Sequence, residues 1–474
     1  MSATPILKHP GLRAGLLIAA LLALSPSPWP ADLADAFRRA EAASAAGQFA
    51  AAADALNMAA ARLPDDAETL ERAGAADLAA GRFESAVRRL QRAGDLGGWT
   101  PARRVRLGDA YQGLGDPAAA TEQWEQALNE LPDNDAILSR LAASYEAAGR
   151  YPDAIAMLTR RVQAGAIDPA LIYRLALLTT ATAPAEASGW LTQAASLSSE
   201  FAPQAERLRR AIAAAQAQED EAYLYGRAGY ELIQMQEWAL AGLALTQAVA
   251  LNPAYADAHA YLGLALDMQG QDGAASYRRA VELAPESPLT QFLFGLHYRR
   301  LGQAAQALPY LEAAQKLDPA NPAIAAEMGG AYAALNDLPQ AEHWFSEAVR
   351  LAPRDAQFWL LLARFHLDYD WKVPELGLPA ARQAVGLDAE SAAAHDTLGF
   401  ALVLTGDLLN GEESLKRALQ LDPELASAYY HLGRLYLQQD KTAEARAALE
   451  QAVTLDPDGP YGNLALRALA SLPP

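Results

Sequence analysis

Histidines and carboxylates are the side chains of this sequence that could act as acids, bases or metal ligands. The seven histidines never occur as HxxxH or HExxH, the spacings that place two metal-binding imidazoles on one helix face. His259 and His395 occupy equivalent places in two similar segments, where other segments have a bulky packing residue. We therefore assign both histidines structural roles and expect no metal site.

The other residue types exclude further kinds of catalytic and ligand-binding site. The chain has no cysteine, which excludes disulfides, thiolate ligands and a cysteine nucleophile. The stretch "GGAYAALND", residues 329–337, resembles a glycine-rich phosphate loop, but no strand pattern precedes it and its glycines fit helix-packing positions. Carboxylates are numerous, but no pair stands apart within an apolar stretch. We therefore predict no enzyme activity, no cofactor and no small-molecule substrate.

The balance of charges argues against a nucleic-acid partner. The formal net charge is −19, and a polyanion repels phosphate backbones unless a local basic stripe compensates. Paired arginines such as Arg299 and Arg300 are scattered, so the sequence shows no such stripe. We expect a protein or peptide partner and no nucleic acid.

The elements that would position any functional side chain follow a repeat of about 34 residues. Residues 101–134 read "PARRVRLGDAYQGLGDPAAATEQWEQALNELPDN", and residues 288–321 and 426–459 follow the same pattern. Numbered from position 1 of each repeat, large apolar residues fall at positions 4, 7, 11 and 24. Small residues fall at positions 8, 20 and 27, and proline falls at position 32. The pattern predicts two helices per repeat.

Helix geometry and packing explain why these residue types recur at these positions. Positions 4, 7 and 11 lie three or four residues apart, so they share one face of a first helix, as positions 20, 24 and 27 share one face of a second. Small residues allow the two helices to approach closely, and a larger side chain would overpack the contact. Proline at position 32 cannot extend the second helix. One helix pair cannot bury its apolar faces alone, so neighbouring pairs must stack.

These positions resemble the signature of the tetratricopeptide repeat, and the resemblance covers nearly all of residues 33–459. It implies an all-α fold, a right-handed α-solenoid of about twelve stacked helix-turn-helix repeats. Every repeat has a small residue at position 8. These residues are Ala40, Gly74, Gly108, Ala142, Ala176, Gly229, Gly263, Gly295, Gly329, Ala363, Gly399 and Gly433.

The repeat pattern divides the chain into parts. The fifth repeat is degenerate, with "TTATAPAEASGW" in place of the usual turn, and an extra helix from about Pro203 follows it, free to run into the next first helix. The predicted parts are an export signal or anchor with a proline-rich linker at 1–32, five repeats at 33–198, a connecting helix at 199–221, seven repeats at 222–459 and a capping helix at 460–474.

The amino-terminal segment has the features of an export signal. Lys8, His9 and Arg13 precede the apolar run "AGLLIAALLAL", residues 14–24, and prolines follow it. Eleven apolar residues are few for a membrane-spanning helix, which needs about 20. We predict an extracytoplasmic protein and leave open whether the segment is cleaved or is retained as a membrane anchor. The alternative is an apolar tail with neither role.

The resemblance also implies a binding surface. In this family the first helix of each repeat lines the concave face, at about positions 2, 5, 9, 12 and 13. In the carboxy-terminal repeats these positions place aromatic and aliphatic residues among arginines, a mixture that protein interfaces favour. The predicted contact residues are Tyr223, Tyr230, Leu264, Phe292, Arg300, Arg364, Phe400, Tyr430 and Arg434. The alternative interpretation is that these positions are half-buried between repeats.

One insertion interrupts the pattern. In "HLDYDWKVPELGLPAA", residues 366–381, the repeat is two residues longer than elsewhere, and the small residues resume at Gly377. The sequence therefore predicts a long turn over residues 367–376. Tyr369 and Trp371 are candidates for a loop contact, because nothing in the repeat requires aromatic residues there.

Together these observations favour a non-enzymatic scaffold for protein–protein interaction, located outside the cytoplasm and binding a peptide segment or protein surface on its concave face. The alternative is an anchored component of an envelope assembly, secretion, pilus or exopolysaccharide-export complex. A cytosolic regulator would require the amino-terminal apolar run to be neither signal nor anchor.

Overall fold

The computed structural model describes residues 31–472, in which the regular structure is entirely helical and includes 26 α-helices. The expected all-α fold of paired helices is confirmed. The chain separates into two compact units, with the boundary between residues 218 and 219. We call them unit 1 and unit 2.

Unit 1 contains five helix pairs and one further helix. Within each pair the first helix packs against the second, and the second helix packs against the first helix of the following pair. The helices are α1 (Ala31–Ala45), α2 (Phe49–Arg62), α3 (Ala67–Ala79), α4 (Phe83–Gly97), α5 (Pro101–Gly113), α6 (Pro117–Glu130), α7 (Asp135–Ala147), α8 (Tyr151–Gln163), α9 (Pro169–Thr182), α10 (Ser188–Leu197) and α11 (Ala202–Gln216).

Unit 2 contains seven helix pairs and a terminal helix. They are α12 (Glu221–Gln234), α13 (Trp238–Leu251), α14 (Ala256–Met268), α15 (Ala274–Leu283), α16 (Pro288–Arg300), α17 (Ala304–Leu317), α18 (Pro322–Ala334), α19 (Leu338–Leu351), α20 (Ala356–Asp368), α21 (Leu378–Leu387), α22 (Ala392–Leu404), α23 (Leu408–Leu421), α24 (Ala426–Gln438), α25 (Thr442–Leu455) and α26 (Pro460–Ala470).

The first helices of neighbouring pairs also touch one another in unit 2. Contacts link α12 to α14 and continue in steps of two helices up to α26. These helices therefore present one continuous side, which we call the first-helix surface of unit 2. Residues at the same repeat position line up across it, because each pair repeats the orientation of the one before.

The two helices of a pair are held together by a recurring contact between repeat positions 8 and 24. At Gly295 an added Cβ would lie 2.7 Å from Cδ2 of Leu311, and at Gly433 it would lie 2.6 Å from Cγ of Leu449. Both leucines are fully buried. The small residue at position 8 is thus required by the large side chain that packs over it.

Side chains at position 4 link one repeat to the next. His259 Nε2 lies 3.1 Å from the carbonyl oxygen of Pro253, and Trp359 Nε1 donates to the carbonyl of Pro353 at 2.9 Å. His395 makes the same contact with Ala389 at 3.0 Å. These bonds satisfy carbonyls just beyond the end of the preceding second helix, where no helical partner exists. Both histidines therefore have structural roles.

Helix α11, which follows the degenerate fifth repeat, does not continue into α12. It ends at Gln216, and Glu219 adopts a positive φ of 57° before Asp220 caps α12 by accepting from the Tyr223 amide at 3.0 Å. A positive φ at a non-glycine residue ends a helix, because a right-handed helix cannot continue through it.

At the other end of unit 2, Asp456 caps α26. Its Oδ2 accepts from the backbone amides of Tyr461 at 2.9 Å and of Gly462 at 3.2 Å. A carboxylate at this place satisfies amides that have no helical acceptor. The terminal helix therefore packs directly over α24 and α25.

The apolar run at residues 14–24 lies outside the described residues. Within residues 31–472, no helix is both long enough and apolar enough to cross a membrane.

Candidate binding surface

The amino-terminal part of the first-helix surface of unit 2 is aromatic. Tyr223 is 39% exposed, whereas Tyr230 is half-buried with its ring centroid 5.1 Å from that of Tyr261. The guanidinium of Arg227 lies 5.0 Å from the centre of the Tyr230 ring. Tyr230 therefore contributes both to packing between repeats and to the surface.

Leu264 and Phe292 lie next along this surface. Both are half-buried and pack against the buried cluster that contains Tyr277 and Phe294. Arg300, at the end of α16, is exposed and forms no ion pair with a carboxylate of the described residues. The predicted residues of this region are thus spread over successive helices, with apolar side chains shared between surface and core.

The carboxy-terminal part of the surface brings four predicted residues close together. Arg434 lies over two aromatic rings, 5.8 Å from the centre of Phe400 and 6.0 Å from that of Tyr430, and donates to the Tyr430 hydroxyl at 3.2 Å. Arg364 is exposed, and its Nε donates to Oγ1 of Thr397 at 3.4 Å. Tyr430 is 7% exposed, so it supports Arg434 more than it faces solvent.

A buried histidine–aspartate pair lies beneath these residues. Nδ1 of His431 lies 2.7 Å from Oδ1 of Asp396, and Ser427 donates to Oδ2 of the same carboxylate at 2.7 Å. The His431 ring stacks on Phe400 with centroids 4.0 Å apart. Nδ1 of His431 is therefore the ring nitrogen that contacts the carboxylate, and Nε2 has no hydrogen-bond partner among the described residues.

Sequence reasoning missed this pair, although a signal was present. Asp396 and His431 are separated by 35 residues, and Asp396 and Ser427 by 31. A separation close to one repeat length places two residues on neighbouring first helices. A search for polar residues one repeat apart would have found all three.

Further titratable groups surround the pair. Burial raises the pKa of the Asp368 carboxyl, while Arg364 and His431 act in the opposite direction. Burial also raises the pKa of the Tyr461 hydroxyl, which lies near Asp396 and Asp368. The Tyr461 ring approaches His431 edge-on at 5.7 Å. We define the cluster as Arg364, Asp368, Asp396, Thr397, Phe400, Ser427, Tyr430, His431, Arg434 and Tyr461.

The first helices of unit 1 differ, because their charges neutralise one another. Glu71 accepts from Arg103 at 2.6 Å and also bonds to Arg106, and Asp109 accepts from Arg140 at 2.6 Å. Arg174 pairs in the same way with Glu146. Each pair joins neighbouring first helices, so the acidic residues of unit 1 act as links between repeats. In unit 2, Arg299 pairs with Glu327 in the same way, but Arg364 and Arg434 of the cluster form no ion pair with the described carboxylates.

The inserted segment is more ordered than a long turn. After α20 ends at Asp368, a short turn leads into a π-helical turn, Val373–Gly377, which continues as α21. Asp370 and Lys372 adopt positive φ angles of 47° and 50°. The two extra residues are therefore absorbed by one wide helical turn, a common form of insertion into a helix.

The two aromatic residues of this segment have different environments. Tyr369 is 39% exposed. Trp371 is half-buried, and its indole donates to Oε2 of Glu342 at 2.6 Å while Lys372 binds Oε1 of the same carboxylate at 2.9 Å. His366 Nδ1 lies 2.5 Å from the Trp371 carbonyl oxygen. Trp371 thus anchors the insertion to the preceding repeat.

A second buried histidine–aspartate pair occurs where a repeat is short. Nδ1 of His297 lies 2.9 Å from Oδ2 of Asp267, which also accepts from the Tyr277 hydroxyl at 3.1 Å. Oδ1 of Asp267 accepts from the Gly273 amide at 3.0 Å. Asp267 therefore holds together a shortened turn. Neither this pair nor any other part of residues 31–472 gathers three residues that could hold a metal ion.

Helix hairpins stacked in register, with small residues facing large ones across each pair, define the class of helical repeat proteins. The chain belongs to the tetratricopeptide repeat family. Models described as tetratricopeptide repeat match more than half of it, at residues 111–176, 227–288, 298–365 and 390–458. Proteins of this family are in general scaffolds for protein–protein interaction, and no catalytic domain is matched.

Several solved structures of repeat proteins match the chain at low identity. Yeast Tom70 is 17% identical with a TM-score of 0.40, and the alignment covers 85% of this chain and 95% of Tom70. YrrB, a repeat protein with an unusual peptide-binding site, is 23% identical with a TM-score of 0.32, covering 40% of this chain and 96% of YrrB. Pseudomonas aeruginosa pilF is 16% identical with a TM-score of 0.38, covering 46% and 98%. No curated protein sequence gave a match.

Proposed function

We propose that this protein is a non-catalytic scaffold that binds a peptide segment or protein surface on the first-helix surface of unit 2. The observation that supports this most directly is the pair Arg364 and Arg434. In a chain of net charge −19, both lie on this surface without an ion-pair partner among the described carboxylates. Aromatic side chains beside them supply the apolar contacts that interfaces use.

The arrangement of the cluster supports binding more than catalysis. Ser427 donates to Asp396 and not to His431, so the histidine does not activate the hydroxyl as a general base would. The same carboxylate holds both side chains in place. Preorganised polar groups beside rigid aromatic rings reduce the entropy that binding costs.

Unit 1 is less suited to this role. Its first-helix acids and arginines are engaged with one another, and a ligand would have to break those pairs. We propose that unit 2 engages the partner.

The location of the protein is part of the proposal. The basic residues, apolar run and prolines at the amino terminus support export, so we place the protein outside the cytoplasm. If the apolar run is retained as an anchor, the protein belongs to a membrane-bound envelope assembly. Cell fractionation with a carboxy-terminal tag distinguishes the two: a released form supports the exported scaffold, and a membrane-bound form supports the anchored component.

Site-specific photo-crosslinking in cells tests the binding surface. A benzophenone amino acid is placed at Leu264, at Phe400 or, as a control, at Gln383 on the exposed side of second helix α21. The proposal predicts that the same partner is captured from Leu264 and Phe400 and not from Gln383. Capture from Gln383 alone would overturn it.

A further inference from the structure

The exposed side of helix α23 carries a pattern of residues that is complementary to itself. Its exposed stripe, which we call the α23 stripe, consists of Leu409, Glu413, Lys416 and Gln420. Spacings of three and four residues place these side chains on one face of the helix. The stripe is symmetric about the point between residues 414 and 415. Two copies of α23 packed antiparallel would therefore place each Glu413 opposite a Lys416, and each Leu409 opposite a Gln420.

The charges of this helix are only partly paired within one chain. Lys416 pairs with Glu412 at 2.7 Å, and Arg417 pairs with Glu390 at 3.0 Å. Glu413 is exposed and forms no ion pair with a cation of the described residues, although both cations lie within one helical turn of it. An ammonium group has three donors, so Lys416 can bind Glu412 of its own helix and Glu413 of a second copy at the same time.

Leu409 supplies the apolar part of the stripe. Its side chain is 79% exposed, more than any other large hydrophobic residue in the described part of the chain. Residues of α22 and α23, among them the half-buried Leu398 and Gln420, line a surface cavity of about 570 Å³. Because Leu409 of an antiparallel second copy lies opposite Gln420, it reaches this cavity, where Leu398 offers an apolar contact.

We propose that the protein forms a symmetric dimer in which the α23 helices of two copies pack antiparallel through the α23 stripe. Such a contact is isologous, because the same patch of both subunits meets across a two-fold axis. The chain has a net charge of −19, but the stripe has one charge of each sign, so the two copies attract each other at the contact. The stripe lies on a second helix, and the first-helix surface of unit 2 stays available to another partner.

The next second helix, α25, lacks this complementarity. The equivalent positions of α25 carry four exposed residues, Ala443, Ala447, Glu450 and Thr454. None of them is a cation, so an antiparallel second copy of α25 would offer no positive charge to Glu450. The pattern is therefore not a general property of the repeat, and α25 provides a matched control position.

Analytical ultracentrifugation of the full chain in a mild non-ionic detergent tests the dimer. A contact made by one helix from each copy is smaller than a standard interface, so we expect a dissociation constant on the order of 10 μM. A chain that stays monomeric up to about 200 μM, well above that constant, would overturn the proposal.

A substitution in the stripe tests the apolar contact. Leu409→Asp should weaken the dimer about 100-fold, because each dimer loses the burial of two leucines. Leu301→Asp, at an exposed leucine between α16 and α17, is the control and should leave the dissociation constant unchanged. Equal effects of the two variants would exclude Leu409 from the interface and overturn the proposal.

An exchange of charges tests the antiparallel alignment. Glu413→Lys and Lys416→Glu should each weaken the dimer about tenfold or more, because like charges then meet twice in each dimer. The double variant, Glu413→Lys with Lys416→Glu, should recover the affinity of the unaltered protein, because opposite charges meet again. Glu450→Lys on α25 is the control and should have no effect. A double variant as weak as the single variants would overturn the alignment.

The set of variants also separates this dimer from association through the apolar run at residues 14–24. Association through that run would give a dimer that none of these substitutions weakens, and this result would overturn the proposal. All the replaced side chains are exposed, and circular dichroism checks that each variant keeps its helix content. Weakening in the single variants together with recovery in the double variant is the result that supports a dimer through α23.

Discussion

The Cβ that Gly295 lacks would lie 2.7 Å from Cδ2 of Leu311, closer than carbon atoms of two side chains normally approach. The same relationship between positions 8 and 24 recurs at Gly229 with Leu245 and at Gly399 with Leu415. Where position 8 is glycine, the close approach of the two helices therefore depends on a missing side chain in one helix and a large one in the other.

Replacing Gly295 with leucine should accordingly destabilise unit 2 by about 1–3 kcal/mol, because the added atoms overpack the contact with Leu311. Gln303→Leu, at an exposed residue that makes no side-chain cap, serves as the control and should change stability little. Urea unfolding followed by circular dichroism measures both. Equal shifts would mean that the packing at positions 8 and 24 does not govern stability.

The second prediction concerns the arginines of the first-helix surface. Reversing Arg300, Arg364 and Arg434 to glutamate should weaken binding of a partner captured by crosslinking. Arg300 and Arg364 are exposed, so their reversal should cost little stability, whereas reversal of Arg434 also removes its contacts with Phe400 and Tyr430. The loss should be largest at low salt, since screening reduces the contribution of exposed charges. Isothermal titration at two salt concentrations provides the measurement.

The control for that experiment must be chosen with the structure in view. Arg88 and Arg89 are neighbours in the sequence, but only Arg89 binds the buried carboxylate of Asp77. Reversing Arg89 would place two carboxylates together and unfold the region. Arg354→Glu with Arg382→Glu avoids this problem, because both arginines are exposed and neither forms an ion pair with a described carboxylate. Unchanged affinity in the triple variant would argue against the first-helix surface as the binding site.

The third prediction concerns unit 1. Glu71 receives hydrogen bonds from Arg103 and Arg106, and all three side chains are largely buried. Glu71→Ala should destabilise unit 1 by about 3 kcal/mol, because it leaves two buried guanidinium groups without their carboxylate. Burial already lowers the pKa of Arg106, which shows the cost of its charge there.

The measurement is urea unfolding together with binding of the partner captured by crosslinking. Stability should fall while affinity for the partner stays the same, because the proposed binding surface lies in unit 2. Glu68→Ala is the control, since Glu68 is exposed and pairs with Arg72 on its own helix. A comparable loss of stability in both variants would contradict the role of Glu71 as a link between repeats.

The helical fold could be predicted from sequence because the contact between a small residue at position 8 and a large residue on the second helix lies within one repeat and recurs along the chain, as at Gly229, Gly295, Gly399 and Gly433. The ion pairs and the cluster could not be predicted in the same way. Asp396 and His431 meet only because two neighbouring repeats stack, and each residue occurs at its position once. Because these residues do not recur at the equivalent positions of other repeats, a search for the repeated pattern does not detect them.

The insertion shows a related effect. The spacing of the small residues indicated where α21 begins. The conformation of the segment between α20 and α21, however, depends on Glu342, which lies 29 residues before Trp371. Nothing near Glu342 in the sequence points to the indole it binds. The prediction of a long turn was therefore wrong about its form, because a contact with the preceding repeat orders the segment.

The last prediction concerns the pH dependence of that anchor. Burial opposes ionisation of Glu342, but hydrogen bonds from Lys372 and Trp371 outweigh it and lower the pKa of the carboxyl below its usual value. A group whose pKa is lower in the folded state stabilises the fold above its unfolded pKa, and this contribution is lost as the pH falls through the folded value. We therefore expect the segment from Tyr369 to Gly377 to lose amide protection as the pH falls below the ordinary pKa range of a glutamate, with exchange rates compared with those of unfolded peptides. In the Glu342→Gln variant, amide protection of the segment at pH 7 should be as low as it is in the unaltered protein at acid pH. The protection in this variant should no longer depend on pH.

Glu347→Gln, which affects only the exposed pairing with Arg350, is the control and should leave the segment protected. Full protection of the segment in Glu342→Gln would show that the carboxylate does not hold the insertion in place.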